Sequence, residues 1–221
     1  MIITKHAQSC FLVETEKSKI LIDPGTYVFA EEGMKAEDFS DIDVIIVTHE
    51  HSDHFDWENV QKIIEMNGPV MLGTIAVIET AREEYPDLDC RVNEVGMTFE
   101  LSDIKIEGVV SEHGPLPNGN TPPEVVGVVI DDGKSRFYTP GDSTFLDQKT
   151  GANIIAAPIC GQVVMDIATA REQVLLANPM LVIPIHYDNS RFPVDVQDFE
   201  SSMDDTDIQV KVLGWGESVE V

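Results

Sequence analysis

The stretch Thr48-His49-Glu50-His51-Ser52-Asp53-His54 limits what this chain can fold into more than any other. It follows the apolar run Val44-Ile45-Ile46-Val47 and precedes a helix-like pattern of Trp57, Val60, Ile63 and Ile64. Three imidazoles and the Asp53 carboxylate therefore crowd into positions 49 to 54, where a buried strand is predicted to leave the fold. In an extended segment residues two apart point the same way, so His49 and His51 can share one ion. Asp53 and His54 come where the chain turns toward the helix, and a second ion is the natural use for them. The plainer reading is a solvated polar loop with chance histidines. Half of the chain's six histidines sit here, however, and imidazole is the commonest protein metal ligand.

Around this cluster the pattern alternates between strand and helix. Strands are predicted at 2–5, 9–13 and 19–22, the last ending in Asp23-Pro24-Gly25, a turn that leaves Asp23 at a strand end. Residues 26–42 read as a loop with room for one helical turn. A strand at 43–47, helices at 56–66 and 74–84 and a strand at 69–72 follow, with Thr74 as a cap and Ile75, Ile78 and Tyr85 on one helical face. Alternation at 97–101 and 104–109 predicts antiparallel strands leading to His113. Residues 114–124 hold four prolines and two glycines, and form either a connector or a wall of a substrate pocket. Strands at 125–130 and 135–139 make a hairpin across Asp131-Asp132-Gly133-Lys134 and end at Pro140-Gly141-Asp142-Ser143. A strand at 153–157, a helix capped by Asp166, a strand at 181–185 ending at His186, a helix near 195–203 and a strand near 208–213 complete the order. Repeats, low-complexity tracts and linkers are absent, so one domain over residues 1–221 is expected.

Composition narrows the function. With 221 residues, 43% of them hydrophobic, the chain suits one α/β or α+β domain with a substantial core. Its formal charge of −26, from 40 acidic and 14 basic residues, disfavours nucleic acid and anionic lipid as partners. A small anionic substrate stays open, since two divalent cations would make the site locally positive. There is no membrane-length apolar run and no signal-peptide layout, so a cytoplasmic location is expected. Cys10, Cys90 and Cys160 are odd in number and far apart, and read as free thiols rather than a thiolate zinc site.

The cluster at 49–54, His113, Asp142 and His186 each follow a predicted strand, which would gather them at one sheet edge. Five histidines are then used; His6 is left out and reads as an ordinary histidine near a strand end. With Asp23 at an earlier strand end, this ordered set resembles the metallo-β-lactamase superfamily. Pro158-Ile159-Cys160-Gly161 and the Met165-Asp166 helix start look most like its small single-domain metal-dependent hydrolases, among them the ascorbate-6-phosphate lactonase-like branch.

That resemblance implies a four-layer αββα sandwich, two mixed β-sheets flanked by helices. It places His49, His51 and His113 on a first metal and Asp53, His54 and His186 on a second, with Asp142 bridging. Asp23 would position a ligand loop or hold an imidazole tautomer, unless it is a plain turn aspartate. Nitrogen and oxygen ligands suit zinc, with manganese and iron as alternatives. A divalent ion lowers the pKa of its bound water to about 7. The implied reaction is hydrolysis of a small ester, lactone, amide, thioester or phosphodiester by a metal-activated hydroxide, with Asp53 as the catalytic carboxylate. A mononuclear iron dioxygenase of the same fold is the alternative; diiron relatives typically carry Glu where this chain has His51. Relatives that cut RNA are opposed by the acidic charge, and a non-catalytic metal-binding protein by the complete ligand set. The pattern names neither substrate nor oligomeric state.

Overall fold

Short runs rich in Val and Ile recur along the chain, and the computed structural model, which describes residues 1–191 and 193–221, pairs them into two seven-stranded sheets. The first runs in order through β1 (Ile2–Lys5), β2 (Phe11–Glu14), β3 (Lys19–Ile22), β4 (Val44–Val47), β5 (Val70–Gly73) and β6 (Cys90–Val92), with β14 (Glu217–Glu220) outside β1. The second runs from β7 (Thr98–Leu101) through β8 (Ile104–Val110), β9 (Val126–Asp131), β10 (Arg136–Thr139), β11 (Ile154–Pro158) and β12 (Leu181–Ile185) to β13 (Gln209–Val210). Both sheets are mixed. Pairing is parallel from β3 to β6 and from β10 to β13, and antiparallel elsewhere.

Side-chain alternation makes the layers. Ile20, Ile22, Val44 and Ile46 face inward and meet Val128, Ile130, Ile154 and Ile183 of the other sheet. Their neighbours Leu21, Ile45 and Val47 face outward, under α2 (Trp57–Asn67) and α3 (Ile75–Glu84). On the far side Ile155 and Val182 pack under α4 (Ile167–Ala177) and α5 (Val196–Ser202). Strands buried on both faces cannot show an apolar–polar rhythm, which is why β4, β11 and β12 read as continuous apolar runs. The expected αββα sandwich is the architecture observed.

Helix ends follow local chemistry. Asp56 and Asp166 cap α2 and α4 by accepting from Asn59 N and Thr169 N, and both helices stop at left-handed residues, Gly68 and Asn178. Several expectations need correction. The helical turn allowed for within residues 26–42 forms as α1 (Thr26–Ala30), but β6 and β14 were not foreseen. β14 reads Glu-Ser-Val-Glu, and its strand character comes from pairing with β1 rather than from its own propensity. The strand expected at 208–213 shortens to 209–210. In α3 the buried face is Val77, Ile78 and Ala81, while Ile75 is 53% exposed; Thr74 occupies the cap position without a side-chain hydrogen bond. Among the described residues no helix is long and apolar enough to cross a membrane.

Phe11 of β2 and Phe137 of β10 meet edge to face across the two sheets, with ring centroids 5.0 Å apart and no exposed surface. Phe137→Ala should therefore lower unfolding free energy by about 3–5 kcal/mol in a denaturant titration, the range for a buried phenylalanine. Ile75→Ala, on the exposed side of α3, should cost far less.

Candidate metal centre

Five strand ends deliver polar residues to one edge of the sandwich: β3 to Asp23, β4 to residues 48–54, β8 to His113, β10 to Asp142 and β12 to His186. Beyond Val47 the chain is bent rather than extended, so strand alternation does not explain how His49 and His51 converge. They meet through the bend, with ring centroids 4.8 Å apart, and a turn follows in which His51 O accepts from both His54 N and Phe55 N. Two glycines allow the loops to pack this closely. A Cβ on Gly25 would lie 1.9 Å from Asp53 O, and one on Gly141, at φ +63°, would lie 2.7 Å from Thr48 Oγ1.

The result is two clusters with one shared member. His49, His51, His113 and Asp142 form the first; Asp53, His54, His186 and Asp142 form the second. Within each, one ligand atom per residue lies within 4.8 Å of all the others. Asp142 divides its oxygens between them. Oδ2 lies 3.5 Å from His113 Nε2 and 4.0 Å from His49 Nε2, while Oδ1 lies 2.9 Å from His54 Nε2 and 2.6 Å from His186 Nε2.

The outward ring nitrogens are tied down. His54 Nδ1 donates to Asp23 Oδ2 at 2.8 Å, and His113 Nδ1 donates to Gly114 O at 2.7 Å. Thr48 Oγ1 donates to Asp23 Oδ2 at 2.8 Å and sits 3.2 Å from His49 Nδ1, placed to accept from it. A carboxylate or carbonyl only accepts, so these contacts keep a proton on Nδ1 and turn Nε2 inward. There His49 Nε2, His113 Nε2 and Asp142 Oδ1 are buried without a hydrogen-bond partner. Oδ1 is close to two imidazoles, yet neither is aligned for a hydrogen bond to it. Such orphaned buried groups are costly, and divalent cations would satisfy them. The donor set fits the group that the sequence implies.

Burial lowers and the Asp142 carboxylate raises the imidazole pKa values, with a different balance at each ring. Burial holds the His49 pKa well below the ordinary imidazole value. Burial would also lower His54, but the Asp142 and Asp23 carboxylates outweigh it and raise His54 well above that value. Burial opposes charging of His186 too, yet Asp142 pushes it up to about 10. Asp142 is buried, which alone would raise its pKa, and the His186 and His54 charges hold it well below the carboxylate range.

Asp23 is more than a turn residue: its carboxylate also accepts from Thr48 N at 2.8 Å and so orders the start of the histidine bend. His6 lies apart, paired through Nδ1 with Glu32 at 2.7 Å. Leu116 and Pro117 place the 114–124 loop in the pocket wall, beside His51, Asp53, His113 and His186. Gln162, Val163 and Arg191 complete the lining and were not foreseen; Gln162 follows the Pro158–Gly161 motif, the only hint available. Cys10 and Cys90 are buried and Cys160 half-buried, all free, and Cys160 Sγ lies 3.8 Å from His186 Nδ1.

A family profile described as "Beta-lactamase superfamily domain" matches residues 2–186. A metal-dependent hydrolase from Salinibacter ruber is 28% identical, covering 99% of each chain. Another from Korarchaeum cryptofilum is 32% identical over 87% of this chain and 84% of its own. A solved metallo hydrolase from Ignicoccus hospitalis superposes with a TM-score of 0.82 at 20% identity, covering 99% of this chain and 97% of that one.

Asp23→Asn should weaken cation uptake by about 10- to 100-fold, the usual cost of losing a partner behind a ligand, as measured by elemental analysis after graded chelation. His6→Ala should leave the cation content unchanged in the same assay.

Proposed function

This chain belongs to the beta-lactamase superfamily, and from that premise we propose that it is a metal-dependent hydrolase working with two divalent cations. The carrying observation is the buried Asp142 carboxylate, which belongs to both clusters and turns one oxygen toward each. His49, His51 and His113 would hold the first cation and Asp53, His54 and His186 the second. Zinc suits these donors best, and manganese and iron are also accommodated by nitrogen and oxygen ligands. Such cations supply acidified water, with a pKa of about 7, and polarise the bond under attack.

The chain's own groups set the rest. Asp53 is the ligand carboxylate with exposed surface, 23% of its side chain, and it lines the pocket. It is therefore the group placed to orient an attacking water and take its proton. Asp23 and Thr48 hold His54 and His49 in orientation, so neither ring has to turn during turnover. Leu116, Pro117 and Val163 give the pocket an apolar wall, and Gln162 and Arg191 give it polar groups for fixing a substrate. This lining suits a small ester, lactone, amide or phosphodiester. The net charge of −26 weighs against nucleic acid as substrate.

Elemental analysis of the purified protein, followed by a panel of such substrates with the metal found, tests the proposal. Two cations per chain and hydrolysis of at least one class are expected; iron with oxygen uptake and no hydrolysis would mark it as a dioxygenase instead. Asp142→Ala should reduce both cation content and turnover, and His51→Ala should lower kcat/KM by a factor on the order of 100 or more, since even partners behind a ligand cost 10- to 100-fold. Two retained cations in the Asp142 variant would contradict the bridging role.

A further inference from the structure

Gln8 lies in the turn between β1 and β2, outside every motif in the sequence, and is completely buried. Its φ is +64°, a left-handed conformation that disfavours any residue but glycine and persists only where the surroundings impose it. They do so from two sides. Glu32 accepts from Ala7 N at 2.9 Å and from His6 Nδ1. Asp188 accepts from Gln8 N at 3.1 Å, from Trp215 Nε1 at 2.7 Å and from the buried Lys5 ammonium.

Held this way, the Gln8 amide reaches into the second cluster. Nε2 lies 3.0 Å from Asp53 Oδ2, and 2.9 and 3.0 Å from Nδ1 and Nε2 of His186. The orientation of the amide is settled by a relay. Arg191 N can only donate, and it donates to Asn189 Oδ1 at 3.0 Å. That turns Asn189 Nδ2 toward Gln8 Oε1, which accepts from it. The Gln8 NH2 group is left facing Asp53, whose carboxylate can only accept. Among the described residues no hydrogen bond joins Gln8 to His49, His51 or His113.

Given the two-cation reading, on which this rests, we propose that Gln8 is a positioning residue for the second cation site alone. Asp53 comes from the first sheet's loops and His186 from the second's, and the amide, donating to the Asp53 carboxylate while it packs against the His186 ring, fixes the one beside the other. Without it the partly exposed Asp53 carboxylate is free to swing into the pocket, and cation binding must then order it.

The test is a cobalt(II) titration of the metal-free full chain, followed by visible absorption and elemental analysis. The wild-type chain should fill in two steps. Gln8→Met, similar in length but lacking the donor, should leave the first step unchanged and weaken the second by about 10- to 100-fold. Asn189→Asp gives an independent reading if the first variant fails to fold. The introduced carboxylate cannot donate to Gln8 Oε1, so the amide should reverse and the second step should again weaken alone. Variants that titrate like wild type, or lose both steps together, would overturn the role of Gln8. A wild-type chain that takes a single cation would instead overturn the two-cation reading, and the role of Gln8 with it.

Discussion

A carboxylate with 1% of its surface exposed, surrounded by imidazoles, is the constraint that the rest of this structure answers to. Burying Asp142 would be prohibitive unless its charge were compensated on the spot. The compensation comes chiefly from His186 and His54, which lie 2.6 and 2.9 Å from its Oδ1 and are carried by strand ends of both sheets. Those strands must therefore stop in step, at one edge, with their loops turned toward a common point. The apolar layer between the sheets makes this arrangement affordable by fixing every strand in register behind the site.

Around that charge the tautomers are set by a short chain of hydrogen bonds. Asp23 receives Thr48 Oγ1 and His54 Nδ1 on one oxygen and Thr48 N on the other, while Thr48 stands beside His49. One carboxylate thus orients ligands assigned to both proposed cations. Gly141, which packs directly on Thr48, brings the Asp142 loop against the same chain. Preorganisation of this kind places the inward nitrogens before any ion arrives.

Much of this was legible in the residues themselves, and the parts that were not share a physical cause. The apolar runs at 44–47, 154–158 and 181–185 announced buried strands, and every candidate ligand followed one of them or a β-hairpin arm. The histidine spacing pointed to convergence, although for the wrong reason, since the segment is bent where alternation assumed it extended. β14 could not be read because its sequence is polar and its structure is conferred by β1. Gln8 and Arg191 were silent for the same reason: nothing local marks a residue whose surroundings come from segments far along the chain. The face of α3 was misjudged where Ile75 and Val77 compete for burial at the start of the helix, a choice settled only by the sheet beneath it.

The two clusters draw on both sheets: His49, His51, Asp53 and His54 belong to the loops of one, and His113, Asp142 and His186 to the loops of the other. An ion seated there would act as a rivet between halves that elsewhere meet through the apolar layer and a few polar bridges, among them Lys5–Asp188 and Ser18–Asp103. Folded-state stability would then track the supply of metal in the surroundings, because whatever binds only the native form shifts the folding equilibrium toward it. Starved of ions, the molecule would part first along this polar seam, leaving the greasy middle of the sandwich to give way last.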